Sequence, residues 1–157
     1  RIDSLLAIRD LHDRYGHIQE VLVQPFRAKP GTRMEKAAAP SLEDLQRTLA
    51  ISRLILGEEI NVQTPPNLTP GDYPKLLGAG INDWGGISPV TKDFVNPEAA
   101  WPQIRHLTTN VESAGFVLRE RLAVYPEFAL RGDYVHSRVR PYVDRLVGVD
   151  GYARVGI

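Results

Sequence analysis

The chain has no cysteine and only one methionine among its 157 residues. The first absence excludes disulfides, thiolate zinc sites and an iron–sulfur cluster held by this chain alone. The single methionine, Met34, stands well inside the sequence, and the first residue is an arginine that runs directly into a helical pattern. The expectation from this is a C-terminal piece of a longer protein. Charge of one sign is also lacking, since 19 basic and 19 acidic side chains give a formal net charge of zero. Proteins built mainly to grip nucleic acid or an anionic membrane carry a basic excess, so neither is an expected partner. No apolar run approaches the roughly 20 residues that span a bilayer. The opening RIDSLLAIRDLHDRYGH lacks the basic, apolar, small-residue succession of a secretion signal. A soluble, cytoplasmic protein is therefore expected, long enough for one domain with a real core.

Along the chain, helical and extended patterns alternate. Ile2, Leu5, Leu6, Ile8 and Leu11 follow helical spacing, with Gly16 as the stop. Residues 18–24 form a β-branched run of strand length. Residues 25–40 read as a loop that turns at Lys29-Pro30-Gly31-Thr32. Ser41, with carboxylates at Glu43 and Asp44, opens a second helix whose stripe is Leu42, Leu45, Leu49 and Leu56, and Gly57 caps it. Residues 60–64 predict a second strand, residues 73–77 a short helix and residues 81–84 a third strand. Asn96-Pro97-Glu98 reads as the start of a helix that buries Ile104, Leu107, Val111 and Ala114. Residues 116–124 predict a fourth strand, and residues 131–157 a partly helical tail. The resulting order αβαβαβαβ argues an α/β fold, with parallel strands alternating with covering helices. The first helix has no strand before it, and in a parallel barrel each helix follows one.

Several polar residues sit where a buried strand needs a reason for them. These are Gln19, Glu20 and Gln24 on the first strand and Asn61 and Gln63 on the second. Either they pair inside the protein, or they point at a polar ligand; Gln24 and Gln63 stand nearest the C-terminal strand ends, where barrel sites lie. The following loop carries Arg27, Lys29, Arg33 and Lys36. Arg27 is closest to the strand end and is the best anion-binding candidate of the four. Asn82, Asp83, Trp84, Gly85 and Gly86 offer short polar groups, an indole and close backbone approach, which suit a flat heterocycle or a plain turn. Arg119, Glu120 and Arg121 interrupt the apolar fourth run. Alternation places Glu120 with the apolar residues and both arginines opposite. The four histidines (His12, His17, His106 and His136) form no ligand set, no Gly-x-Ser-x-Gly elbow marks a nucleophile, and no glycine loop marks a phosphate site. No catalytic residue and no metal ligand is assigned.

Three stretches carry a resemblance: IQEVLVQPFRAKPGT at 18–32, NVQTPPNLTP at 61–70 and GINDWGGISPVTKDFVN at 80–96. Over residues 5–128 the chain resembles the deazaflavin-forming radical S-adenosylmethionine enzymes, the FO synthase family. The resemblance implies the C-terminal portion of a partial TIM-type barrel, with residues 1–128 as its last βα units and extension and residues 129–157 as a C-terminal tail. It implies a lyase that forms the deazaflavin chromophore of coenzyme F420 from a tyrosine-derived aminouracil adduct, with loss of ammonia. S-adenosylmethionine and a [4Fe–4S] cluster would serve the full-length parent. The family's Cys-x-x-x-Cys-x-x-Cys motif has no counterpart here, so neither cofactor is expected to bind this piece alone, and the piece alone is expected to be inactive. Implied partners are the small-molecule adduct, the missing N-terminal part of the same barrel, and the sister adduct-forming enzyme or a fused half. Gln24, Arg27, Gln63, Asn82, Asp83, Trp84 and Arg119 are the candidate substrate- or cofactor-binding residues. The alternatives are the sister transferase, which joins tyrosine to a ribityl-aminouracil, and a cluster-free binding module derived from the barrel.

Overall fold

The computed structural model describes residues 1–88 and 90–154. Pro89, within the third resembling stretch, and residues 155–157, at the end of the expected tail, lie outside the described residues. The chain divides into two compact units, residues 1–116 and 117–157.

In the first unit, α1 (Ile2–Tyr15) leads to β1 (Glu20–Leu22), α2 (Leu42–Leu56) to β2 (Asn61–Gln63), and two 3-10 turns at Pro66–Leu68 and Tyr73–Ala79 to α3 (Ile104–Ser113). The Ser41 cap of α2 is as expected, its hydroxyl accepting from the Asp44 N–H at 3.1 Å, but the buried stripe is Leu45, Leu49, Ser52 and Leu56, with Leu42 only half-buried in the first turn. The glycine stops also hold, with Gly16 at φ 59° and Gly57 at φ 68°. On α1 the buried residues are Leu5 and His12, while Ile2 and Leu11 stay about half exposed. His12 is buried because it closes the helix, its carbonyl accepting from Gly16 and its Nδ1 from the Ile18 N–H.

The sheet is smaller than the sequence pattern implies. β1 and β2 pair in parallel, with Glu20 opposite Asn61, Val21 opposite Val62 and Leu22 opposite Gln63. The expected third strand at 81–84 is a single parallel bridge, Gln63 to Asp83. A side chain replaces the missing ladder there: Asn82 donates its N–H to the Val62 carbonyl at 3.1 Å, and its own Oδ1 accepts from the Val62 N–H at 2.9 Å. Residues 116–124 form no strand. They have no strand partner among the described residues, so β propensity has no ladder to join. The helix expected from Asn96 starts instead at Ile104. Asn96–Ala99 closes only one turn, and Pro102 disfavours helix at Trp101 and removes a donor of its own. The short helix expected at 73–77 is a 3-10 segment that extends to Ala79.

Behind β2, Arg53 ties α2 to these loops. It donates to the carbonyls of Gly80 (2.7 Å), Gly57 (2.6 Å) and Ile60 (3.0 Å), and to Asn82 Oδ1 (2.7 Å). Burial pushes its pKa below the usual arginine value, and Glu58 acts in the opposite direction. Leu49, Val62, Leu76 and Leu107 are fully buried, with Ile60 and Leu68 nearly so, and they form the core of this unit.

The second unit contains α4 (Pro126–Ala129) and α5 (Arg140–Leu146). Ala129, Val143 and Val147 form its core, with Leu122, Val124 and Val135 packed against them. Glu120 is exposed rather than buried among apolar neighbours. The strand alternation that placed it inside does not apply to an irregular segment. Among the described residues no helix is long and apolar enough to cross a membrane.

Replacing Asn82 with alanine strips partners from the Val62 N–H, from Arg53 and from Asn61 together. The expected loss is about 2–4 kcal/mol in urea unfolding. Leu54→Ala, at a position 83% exposed, should cost less than about 0.5 kcal/mol.

Candidate functional site

Side chains opposite one another in a parallel pair share a face of the sheet. Glu20, Leu22, Asn61 and Gln63 therefore lie on one side, joined through the bridge by Asp83. Val21 and Val62 share the other side, and Val62 is fully buried. The first face is polar along β2 and open along β1, where Glu20 is exposed and Leu22 is 50% exposed.

Its polar groups are tied into one network. Gln63 Nε2 donates to the Glu20 carboxylate across the two strands. Asn61 Nδ2 donates to the Gln19 carbonyl at 2.9 Å, and Asn61 Oδ1 accepts from Asn82 Nδ2 at 2.6 Å. Asp83 accepts from the Gly85 N–H. Gly85 has φ 75°, and a side chain there would overlap Gln63 Oε1. Glycine at this position therefore serves both the backbone turn and the seat of the Gln63 amide.

Among the seven candidates, the structure joins Gln63, Asn82 and Asp83. Asn82 is spent on structure, bonded to Val62, Arg53 and Asn61. Trp84 is 6% exposed and meets the Tyr73 ring edge-on, with centroids 5.6 Å apart. Its indole is part of the core. Gln24 is exposed two residues past β1 and lines a groove of about 580 Å³ with Leu5, Val21, Phe26 and Leu45. Arg27 donates to the Leu68 carbonyl and so fastens its loop to the exit of β2. Lys29 pairs with Glu98 at 2.6 Å, and that bond is the main cause holding the Glu98 carboxyl below its usual range. Arg119 lies in the second unit, paired with Asp150 and stacked 3.7 Å over the Tyr152 ring. The Arg119 bond, helped by the Tyr152 N–H, holds Asp150 below the usual carboxylate range.

Two features had weak sequence signals. Arg53 sits one turn before the Gly57 stop, a place where a basic residue usually just caps carbonyls. Asp93 gathers the N–H groups of Val95 (2.9 Å) and Asn96 (3.0 Å) and the amides of Asn67 (2.9 Å) and Asn96 (3.3 Å). Its D-x-x-N spacing is the only hint of this knot. Beside it, Asn67, Tyr73, Pro102, His106 and Asn110 line a groove of about 460 Å³. At the exit of β2, Thr64 Oγ1, Asn67 Oδ1 and Thr69 Oγ1 are buried without a hydrogen-bond partner among the described residues. Each such group costs about 1–3 kcal/mol until something satisfies it. No cluster of three or more metal-ligating side chains occurs among the described residues. The chain has no thiolate to offer an iron–sulfur cluster, so its residues do not fit that group.

The Asn96 N–H above all, with the Asn67 and Asn96 amides and the Val95 N–H, holds Asp93 below the usual carboxylate range against some desolvation. A carboxylate with a depressed folded pKa stabilises the fold above its unfolded pKa of about 3.9, and that stability is lost as pH falls through the folded value. Urea midpoints should therefore fall below about pH 4, and Asp93→Asn should flatten this part of the profile while lowering stability at neutral pH.

No protein-family model matches the chain, and no solved structure matches it. Curated relatives do. The 7,8-didemethyl-8-hydroxy-5-deazariboflavin synthase of Methanopyrus kandleri is 52% identical over 154 residues, which is 98% of this chain and 46% of the relative. The FO synthase of Streptomyces coelicolor is 47% identical over 156 residues, 98% of this chain and 18% of the relative. The 7,8-didemethyl-8-hydroxy-5-deazariboflavin synthase of Methanothermobacter thermautotrophicus is 44% identical over 146 residues, 93% of this chain and 44% of the relative. The chain spans less than half the length of each of these relatives. Over nearly all of its own length it is homologous to proteins named as deazaflavin synthases.

Proposed function

We propose, from this homology to deazaflavin synthases, that the chain supplies part of a radical S-adenosylmethionine lyase that closes the deazaflavin ring. The substrate is the tyrosine-derived aminouracil adduct, and ammonia leaves on ring closure. In this reading β1 and β2 are neighbouring strands of a TIM-type barrel, and the polar sheet face is turned to its interior. The remaining strands and the cluster-binding cysteines come from sequence outside this chain. S-adenosylmethionine and a cluster, held by residues outside this chain, would supply the radical chemistry in the parent. This chain's share is binding and orientation.

The observation that carries the proposal is the identity of about half over 98% of the chain. Two features of the fold are in keeping with it. The polar face is continuous from Glu20 to Asp83, and the orphaned oxygens cluster at the C-terminal end of β2, the end where parallel barrels place their chemistry. Of the candidate ligand groups, Gln63 and Asp83 belong to that face. Gln24 and Arg27 stand at the exit of β1, and Arg119, in the second unit, is paired with Asp150 there. Asn82 and Trp84 would act as supports.

The test is a substrate comparison on the parent enzyme containing this sequence, anaerobic and cluster-loaded. Preformed adduct should give the fluorescent deazaflavin, and Asp83→Ala should lower that rate about tenfold or more. Consumption of tyrosine and ribityl-aminouracil, with no deazaflavin formed from the adduct, would instead identify the sister transferase.

A further inference from the structure

After its bridge at Asp83, the first unit makes two short turns that side chains close. The Ser88 hydroxyl accepts from the Thr91 N–H at 3.2 Å and from the Thr91 hydroxyl at 2.6 Å. Asp93 closes the next turn. One of its carboxylate oxygens accepts from the N–H groups of Val95 and Asn96, and the other from the amides of Asn67 and Asn96. Asn67 and Asn96 are themselves buried, so this turn is fastened to the body of the unit. The residues that the two turns present are apolar: Val90 is 91% exposed, Phe94 90% and Val95 69%. The bonds to Asp93 fix the backbone from which Phe94 and Val95 project. Aromatic side chains held bare in this way are typical anchors of an interface, filling a pocket on the partner.

The order of the sheet points to the occupant. β1, β2 and the Gln63–Asp83 bridge follow one another, and among the described residues no strand lies beyond Asp83. Residues 87–95 leave the sheet at that outer edge, at its C-terminal end. The chain spans 46% of the Methanopyrus kandleri relative, so more than half of such a parent lies outside it, and in a closed parallel barrel that remainder meets this edge. We propose that Phe94 and Val95, with Val90, form an apolar clasp that docks into a pocket on the remainder of the parent, the part that carries the strand next to Asp83. A charged group facing these side chains would lose its water without gaining a partner, so the pocket is apolar. This inference rests on the barrel reading above and goes beyond it, because it assigns residues that hold the two parts together.

The experiment places a photo-crosslinker in the parent enzyme as Phe94→p-benzoylphenylalanine, with Leu54→p-benzoylphenylalanine as the control at an exposed site on α2. Irradiation should join residue 94 to peptides of the parent outside residues 1–157, and residue 54 should form no such link. Phe94→Ser should lower the melting temperature of the parent by about 3 °C or more, against less than about 1 °C for Leu54→Ala. Crosslinks from residue 94 that stay within residues 1–157, that join two copies of the parent, or that fail to form overturn the clasp. An unshifted melting temperature in Phe94→Ser does the same. Deazaflavin formation from the adduct, measured on wild type, tests the functional reading separately. A parent that makes deazaflavin while residue 94 finds no partner outside this chain loses the clasp alone. A parent inactive on the adduct overturns the functional reading, and the crosslink still decides the clasp.

Discussion

The contact between Arg53 and Asn82 determines much of the first unit. One guanidinium on α2 collects three carbonyls and the Asn82 oxygen, and that same oxygen accepts from the Val62 N–H. A central strand normally meets this need with a third strand. Here a side chain completes the edge of β2, and the helix behind it keeps that side chain in place. The cost is desolvation of a cation, which appears as the lowered pKa of Arg53. The gain is a sheet edge with its donor satisfied and residues 82–85 fixed against β2.

With that edge fixed, the polar face can persist. Gln63 and Asn61 are more than nine-tenths buried and would be expensive without partners. Glu20, Gln19 and Asn82 provide them, and Gly85 leaves the room. The network thus spends its inner members on structure and leaves a carboxylate at the open margin. Such a division suits a binding surface, because a rigid inner layer sets the direction of the outer group. The Asp93 knot does a similar job for the loop before α3, where four N–H donors converge on one carboxylate.

Local signals were legible wherever the chemistry was local. The Ser41 cap, the Leu45–Leu49–Leu56 stripe, the Gly16 and Gly57 stops and the Lys29–Thr32 turn all follow from neighbours within a few residues. Strand extent was not legible. Residues 116–124 have the pattern of a strand, but pattern alone provides no partner, and Glu120 therefore lies outside. Asn96-Pro97-Glu98 has the chemistry of a cap, yet α3 starts only at Ile104, because the Trp101-Pro102 step five residues on interrupts the helix that cap would open. On the candidate face, Gln63 stands out in the sequence as a polar residue on a short strand, and Asp83 as part of the Asn82–Gly86 turn. That Gln63 is spent on Glu20, and Asn82 on Val62, depends on contacts 20 to 43 residues apart, which spacing rules do not reach.

If the proposed function holds, the substrate lies on the face running from Glu20 to Asp83. Photo-crosslinking tests it most directly, using the parent enzyme and an aminouracil that carries a diazirine on its ribityl arm, with labelled peptides mapped by mass spectrometry. Label should fall within residues 19–24, 61–64 and 82–86, and unlabelled ribityl-aminouracil should compete it away. Competable label confined to the groove around Tyr73, His106 and Asn110, or absent from this chain altogether, would contradict the account.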